Sequence, residues 1–274
     1  MKTDKPALVI SSGLSRAQIT DVTPFLATIF QSNLFSHDYL DWLYNKSPYG
    51  PAICITAYHK NQIVGHMAGL PREYHELGTT THRGLLAVNT AVDKSFLKFG
   101  VFNNLIQTLK DEMQTKGFDF ILGIPNGNAV NGWLKRGKAD YIGKLNLHFT
   151  LCLPPLPASK VLKFTKQNEM MVWMSNDPSH KRIVKQKTLL SKFKFLPLWF
   201  FAIVSYCAEE KPASLFGSSV LFGYIGSKRP KGLTLKLPDF LKPSPLHIIL
   251  ITERREIVSF FKQSEIQAKD FDAL

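Results

Sequence analysis

Between Leu85 and Asn126 the pattern of apolar and polar positions changes period twice. Leu85-Leu86-Ala87-Val88-Asn89-Thr90-Ala91-Val92 is an apolar run with the length of a buried strand. A short polar turn, Asp93-Lys94-Ser95, follows, and a lone glycine, Gly100, stands between Phe99 and Val101. Apolar residues then recur at three and four positions (Phe102, Leu105, Ile106, Leu109, Met113), which predicts an amphipathic helix ended by Gly117. Phe118 to Ile124 reads as a further strand, closed by Pro125-Asn126. The unit is strand, glycine-bearing turn, helix, strand.

That order has a chemical consequence. A helix N-terminus carries unpaired backbone N–H groups and the positive end of the helix dipole. A loop feeding it can wrap a phosphate, and a glycine lets the backbone come close. The amides of Lys98, Phe99, Gly100, Val101 and Phe102 would form that cradle. A plain β-turn-α connection, with Gly100 only easing the turn, has the same pattern.

Phe25, Leu26, Ile29 and Phe30 share a helical face after Pro24, and Asp38 to Tyr44 predicts a second short helix. Asn45-Lys-Ser-Pro48-Tyr49-Gly50-Pro51 is a dense turn signal. Ala52–Tyr58 and Gln62–Leu70, joined by His59-Lys60-Asn61, predict a β-hairpin whose second strand Pro71 stops. Arg72 to Arg83 is then a polar connection. After Asn126, Ala129 to Leu134 predicts a short helix ended by Gly137, and Tyr141 to Leu151 alternates as one strand. Pro154, Pro155 and Pro157 make a stiff break, which divides the chain into residues 1–153 and 154–274. Beyond it, Met170 to Met174, Ser219 to Ile225 and Leu246 to Thr252 read as strands. The apolar run from Phe195 to Ala208 is shorter than the roughly 20 residues of an ordinary membrane span. It reads as a buried strand or core segment, with insertion into a membrane interface as the alternative.

Composition narrows the class. In 274 residues, 45% are hydrophobic and 20% charged, as in a globular chain that buries a proper core. Three widely spaced cysteines (Cys54, Cys152, Cys207) supply neither a disulfide framework nor metal spacing, and no His or Asp metal cluster stands out. With no signal-peptide pattern at the start, a cytoplasmic location is expected. The net charge of +13 is uneven: about 15 basic and 11 acidic side chains fall in residues 1–150, against about 19 and 10 in 151–274. The excess between Lys160 and Lys194 suits an anionic glycan, a membrane surface or simply solvent. No RNA-binding signature accompanies it, so nucleic acid is a weak option.

Four features in a fixed order resemble the GNAT superfamily of acyl-CoA-dependent N-acyltransferases, and more narrowly a bacterial branch found near surface-polysaccharide genes. They are Trp42-Leu-Tyr44-Asn45-Lys-Ser-Pro48-Tyr49-Gly50, the hairpin strand Asn61-Gln-Ile-Val-Gly65, the stretch Asn89 to Phe102, and Gly123-Ile-Pro125-Asn126 with Gly137 and Tyr141-Ile-Gly143 behind it. The match covers about residues 15–150. Trp173 with Pro178, Lys242-Pro-Ser-Pro-Leu246 and Asp270-Phe-Asp272 resemble that branch's second half, a degenerate acyltransferase-like unit. The resemblance implies a mixed α/β (α+β) fold: a central mixed sheet with flanking helices and a degenerate second unit.

It also implies acetyl-CoA, or another acyl-CoA, as cosubstrate, and no metal. The pyrophosphate would lie on Lys98 to Phe102, and the pantetheine arm would pair with backbone near Ala91 and Val92. The thioester would lie in the splay between Leu85–Val92 and Phe118–Ile124, to be attacked directly by an amine. Asn126 would orient the cosubstrate or a water, or cap the next turn, and Tyr141 would donate a proton to the thiolate or serve as a structural strand residue. His66, His75 and His82 are candidate bases, since no carboxylate occupies the Leu85–Val92 strand. The loop departs from the family at Leu97, where an arginine is usual, and at Lys98, which replaces a glycine; Lys98 either restores charge or blocks the cradle. Two functions follow. One is an N-acyltransferase acting on an amine such as an amino sugar or glycan precursor. The other is an inactive acyltransferase-like protein that uses its basic second half to bind a partner, an anionic glycan or a membrane surface.

Overall fold

The computed structural model describes residues 6–13, 16–75, 80–150, 162–179, 182–185, 188–195, 198–206, 222–227, 234–236 and 246–266. Pro154, Pro155, Pro157, Cys152, Cys207, Lys160, Lys242 and Asp270 to Asp272 lie outside these residues.

The chain opens with β1 (Val9–Ser12), α1 (Arg16–Phe30) and α2 (His37–Asn45). Helix α1 runs through Pro24 and begins well before it. Ile19, Val22 and Leu26, at three- and four-residue spacing, are completely buried. Burying three such side chains, at roughly 1.5–3 kcal/mol each, outweighs the roughly 3 kcal/mol cost of an interior proline. Helix α2 starts where expected, with the Ser36 hydroxyl accepting from the Tyr39 amide at 3.2 Å.

Next come β2 (Ile53–His59), β3 (Gln62–His75) and β4 (Thr81–Val92). Strand β3 passes straight through Pro71, so Arg72 to Arg83 belongs largely to a long hairpin rather than to a polar connection. Strand β2 stops opposite Gly69, which leaves the β3 edge beside Pro71 without a ladder that a prolyl nitrogen could break. A 3-10 turn (Lys94–Phe99), α3 (Val101–Thr115), β5 (Phe120–Gly123) and α4 (Gly127–Lys135) complete the unit first read from the sequence.

The expected strand from Tyr141 to Leu151 is two strands, β6 (Asp140–Lys144) and β7 (Asn146–Thr150), which lie in different sheets. The break is Leu145, buried, with its amide donating to Leu246 O at 2.9 Å. After β8 (Lys163–Phe164), the segment expected as a strand at Met170 to Met174 is helical, α5 (Gln167–Ser175). Met170, Trp173 and Met174 form one buried helical face while Val172 is exposed, a spacing that five consecutive apolar residues conceal. β9 (Arg182–Lys185), β10 (Thr188–Phe195), β11 (Leu198–Tyr206), β12 (Phe222–Gly226), β13 (Thr234–Lys236), β14 (His247–Ile251) and α6 (Arg255–Gln263) follow. The apolar run after Phe195 is thus a strand, and among the described residues no helix is long and apolar enough to cross a membrane.

The first sheet has the order β1-β2-β3-β4-β5-β14-β6, with β8 pairing the far end of β3. Strand β14 lies between β5 and β6, so segments from both sides of residue 154 build this sheet. The second has the order β13-β7-β12-β11-β10-β9. Alternating strand residues feed two cores. Leu86, Leu122 and Leu250 join α1, α2, α5 and α6 on one face, while Leu85, Ile121 and Ile249 join α3 and α4 on the other. Helices α2 and α5 are locked by a reciprocal pair. Trp42 Nε1 donates to Trp173 O at 3.0 Å, Trp173 Nε1 donates to Trp42 O at 3.2 Å, and the rings stack at 4.3 Å.

Ile249 is fully buried at the centre of β14, facing α3 and α4. Ile249→Ala should lower unfolding stability by about 2–5 kcal/mol, read from the shift in urea midpoint.

Candidate functional site

β4 and β5 are the parallel pair of the first sheet, in register from Gly84 opposite Phe120 to Ala87 opposite Gly123. Asp119 fastens one end: its carboxylate accepts from the Arg83 amide at 2.9 Å and from Arg254 at 2.7 Å, and its carbonyl accepts from Thr252 Oγ1 at 2.8 Å. At the other end the strands part. β5 stops at Gly123 and turns through Ile124-Pro125, while β4 continues to Val92 paired only with β3.

A bulge turns β4 at this point. His66 faces Ala91 and Ala68 faces Val88, so Asn89 and Thr90 together oppose Met67. Asn89 takes a left-handed conformation with φ +51, which asparagine tolerates better than most residues. The parted strands and the bulge border a cavity of 270 Å³. Leu86 to Thr90 and Ile124 to Asn126 form its strand walls. Phe30, Phe35, Tyr39 and Leu43 come from α1, α2 and their link, and Ala129 and Trp133 from α4. The cavity therefore passes through the sheet from the α4 face to the α1/α2 face. Among the described residues no Asp, Glu, Lys, Arg or His side chain lines it.

Asn89 is held by a buried polar chain. Its Nδ2 donates to Tyr44 Oη at 2.8 Å, Tyr44 Oη lies 3.1 Å from His66 Nε2, and Thr56 Oγ1 lies 3.1 Å from His66 Nδ1. With the amide donating to the phenol oxygen, the network assigns the Tyr44 proton to His66 Nε2 and the ring proton to Nδ1, which donates to Thr56. Burial pushes the His66 pKa down to about 3 and raises that of Tyr44, so both are neutral near pH 7. Of the three candidate bases, His66 is thus sealed inside this chain. His75 is exposed at the end of β3, and His82 is buried against Phe260, 4.9 Å between ring centres.

The expected phosphate loop has a definite shape. The Asp93 side chain accepts from the Ser95 amide at 2.8 Å and starts the 3-10 turn, which carries Lys98 and Leu97 exposed and Phe99 half-buried. Gly100 has φ +78, a value that favours glycine, and is the N-cap of α3. The Asn104 amide donates to Gly100 O at 3.1 Å. The amides before it in the first turn have no side-chain cap, and open space surrounds Gly100 where a Cβ would project. Val101 is buried over Gly65, whose Cβ would lie 2.5 Å from Val101 Cγ1, so a glycine in β3 lets this helix end sit on the sheet. Phe102 packs edge-on against Trp133 at 5.7 Å, joining α3 to α4.

Ala91 is buried opposite His66, and Val92 pairs with Gly65, both between the bulge and the loop. Asn126 lines the cavity and caps α4, its Oδ1 accepting from the amides of Asn128 and Ala129 at 3.1 and 3.0 Å. Tyr141 is not brought to the cavity. It sits 44% exposed on β6, beyond β14 from β5, with its hydroxyl 3.2 Å from His247 Nδ1. Sequence reading missed Asn89, Tyr44 and Thr56 as one unit, and missed the wall from Phe30 to Leu43. Tyr44 and Asn89 are both in the matched motifs, yet their pairing is a contact across 45 residues. Among the described residues no group of His, Cys, Asp or Glu can hold a metal ion.

No protein-family model matches the sequence, and no curated protein matches it. Among solved structures, the chain is similar to a conserved protein from Enterococcus faecalis described as a probable N-acyltransferase: TM-score 0.60, 9% identity, over 90% of this chain and 73% of that one. It is also similar to a GCN5-related N-acetyltransferase from Anabaena variabilis (TM-score 0.58, 11% identity, 90% and 74% covered). A third, from Kribbella flavida, gives a TM-score of 0.56 at 10% identity, with 90% and 71% covered. At these identities the likeness establishes the fold, a central mixed sheet with flanking helices.

Tyr44→Phe keeps the ring but strands Asn89 Nδ2 and His66 Nε2, and should cost about 1–3 kcal/mol in urea unfolding. His66 also sets an acid limb. Its folded pKa of about 3 lies below the ordinary 6.5, so only the unfolded chain gains a proton between them. This contribution is intact above pH 6.5 and is lost as pH falls toward 3, by up to about 1.4 kcal/mol per unit. His66→Gln should be less stable at neutral pH and show a shallower decline below pH 6.5, measured as urea midpoint against pH.

Proposed function

We propose that this chain, which has the fold of the GCN5-related N-acetyltransferases, transfers an acyl group from acyl-CoA to an amine, with acetyl-CoA as donor. One observation carries the reading: a single strand, β4, leads from a bulged, cavity-lining segment at Val88–Thr90 to the uncapped helix end at Gly100. Three parts of the substrate then find chemistry suited to them. The pyrophosphate meets the amides that open α3, Val101 and Phe102, and the positive end of the α3 dipole, with Gly100 allowing close approach and Lys98 and Phe99 of the 3-10 turn bordering the cradle. The pantetheine arm carries amides, and β4 beyond Ala87 has lost its β5 partner, so its free edge near Ala91 and Val92 offers strand-like hydrogen bonds. The thioester then reaches the cavity.

Reaction is direct. A neutral amine nitrogen attacks the thioester carbon, the new C–N bond forms, and charge collects on the carbonyl oxygen, where backbone amides of the β4 bulge stabilise it. The C–S bond then breaks, CoA leaves as thiolate, and water in the cavity passes the surplus amine proton on. Asn126, fixed by its own cap to α4, positions that water or the amide arm. Tyr44 and His66 act through Asn89, holding the bulge in its left-handed turn. An amino sugar, the acceptor implied by the resemblance, would find Asn89, Thr90 and Asn126 among the polar side chains of the cavity. A lining without carboxylate or histidine among the described residues favours a second reading, a CoA-binding protein without turnover.

Calorimetric titration with CoA and acetyl-CoA tests the first step, and release of free thiol in the presence of amines separates the two readings. Gly100→Asp is the matching variant. Aspartate enters the left-handed region more readily than most side chains, at some cost in strain, and meets open space there, so its charge would occupy the pyrophosphate cradle. The urea midpoint of the variant checks that it is folded. Affinity for CoA should fall at least about tenfold, which is about 1.4 kcal/mol. Unchanged affinity would place the ligand elsewhere.

A further inference from the structure

On the α1/α2 side of the sheet the cavity wall is a ladder of rings. Phe30 and Phe35 stack at 5.2 Å, Phe35 meets Tyr39 edge-on at 6.2 Å, and Tyr39 meets Trp42 at 5.8 Å. Leu43 and Ile124 complete an apolar surface. The wall also reaches solvent in apolar form. Phe30 is 43% exposed and Leu34, in the link between α1 and α2, is 46% exposed. Such residues beside a cavity make a threshold over which an apolar molecule loses little on leaving water.

Charge points the same way. Among the described residues lining the cavity there is no carboxylate for an incoming ammonium group, and an unpaired buried charge is heavily penalised. The protein's net charge of +13 also repels polycations on approach. A reacting amine escapes the penalty, because it must shed its proton to become a nucleophile. Additional ammonium groups on the same molecule do not. Size is sufficient: 270 Å³ exceeds the roughly 150 Å³ of an engineered apolar cavity that accepts benzene. A ring, a short linker and the acetyl group fit together.

We propose that the acceptor is an amine carried on an aromatic or alkyl body, with no second positive charge, and that Phe30, Phe35 and Tyr39 select it. The inference rests on the acyltransferase reading and assigns the acceptor class of that same cavity. It sets aside polyamines and aminoglycosides, and it ranks a ring-bearing amine above an amino sugar, because the several hydroxyls of a sugar need more partners than this mainly apolar lining offers.

The full chain is assayed for thiol release from acetyl-CoA with phenethylamine, hexylamine, glucosamine, spermidine and kanamycin, and CoA affinity is measured separately by calorimetry. The expected result is a kcat/KM for phenethylamine and hexylamine at least tenfold above the other three. Phe35→Ala should raise KM for phenethylamine about tenfold and leave CoA affinity unchanged. Equal or better use of glucosamine, spermidine or kanamycin overturns the proposal. So does CoA binding with no amine in the panel reacting, an outcome that leaves the CoA site intact. Faster turnover of hexanoyl-CoA than acetyl-CoA with every acceptor assigns the rings to the acyl chain and likewise overturns it. Failure to bind CoA at all defeats the acyltransferase reading itself.

Discussion

Four residues of parallel pairing between β4 and β5 govern the geometry of this protein. Parallel strands are held by evenly spaced, slanted hydrogen bonds, and they separate wherever one strand runs out of partners. Here Asp119 pins one end through Arg83, Thr252 and Arg254, while Gly123 and Pro125 end β5 at the other. The sheet is therefore closed on one side of residue 87 and open on the other. Strand β14 supports the split by taking the far edge of β5, with Ile249 opposite Gly123 and the His247 amide on Pro125 O at 2.9 Å.

An opening in a sheet exposes backbone groups, and these must be satisfied or used. The protein treats its two candidate helix ends differently. At α4 the Asn126 side chain takes two of the first-turn amides, and that end is closed by the protein itself. At α3 the cap is glycine, without a side chain to offer, and the amides stay available. The bulge at Asn89 lies between these ends and is fixed from inside by Tyr44, His66 and Thr56. A neutral, fully buried network suits that task, since it holds one geometry without adding a charge beside the cavity. Asn89 is where packing on the α1/α2 side and the backbone of the gap meet.

Much of the unit from Leu85 to Asn126 was legible because its local signals agree. The 3.6-residue period of α3, Gly100 before it and Gly117 after it all describe one helix, and no distant contact overrides them. Legibility failed where distant packing decided the outcome. Pro24 and Pro71 look like stops, yet buried Ile19, Val22 and Leu26 carry α1 through the first, and a vacant sheet edge admits the second. The five apolar residues from Met170 hold too little period to show a helix, and only the Trp42–Trp173 contact gives that segment a face. Tyr141 had a strand's alternation but no signal for which strand would lie beside it; β14 intervened.

By itself, then, the sequence determined the strand-turn-helix-strand unit and the place of Gly100 in its turn, and it admitted a strand as one reading of the apolar run after Phe195. All of these depend on residues a few positions apart, whose dihedral preferences and periodicity act within one element. Tertiary structure alone decided that β14 returns to the first sheet, that Asn89 joins Tyr44 and His66, and that rings from α1 and α2 wall the cavity. Each is a contact between residues far apart in the chain, chosen by burial and hydrogen-bond satisfaction summed over many partners. The phosphate-friendly turn could be read from a dozen residues, whereas the cavity it serves needed the whole sheet.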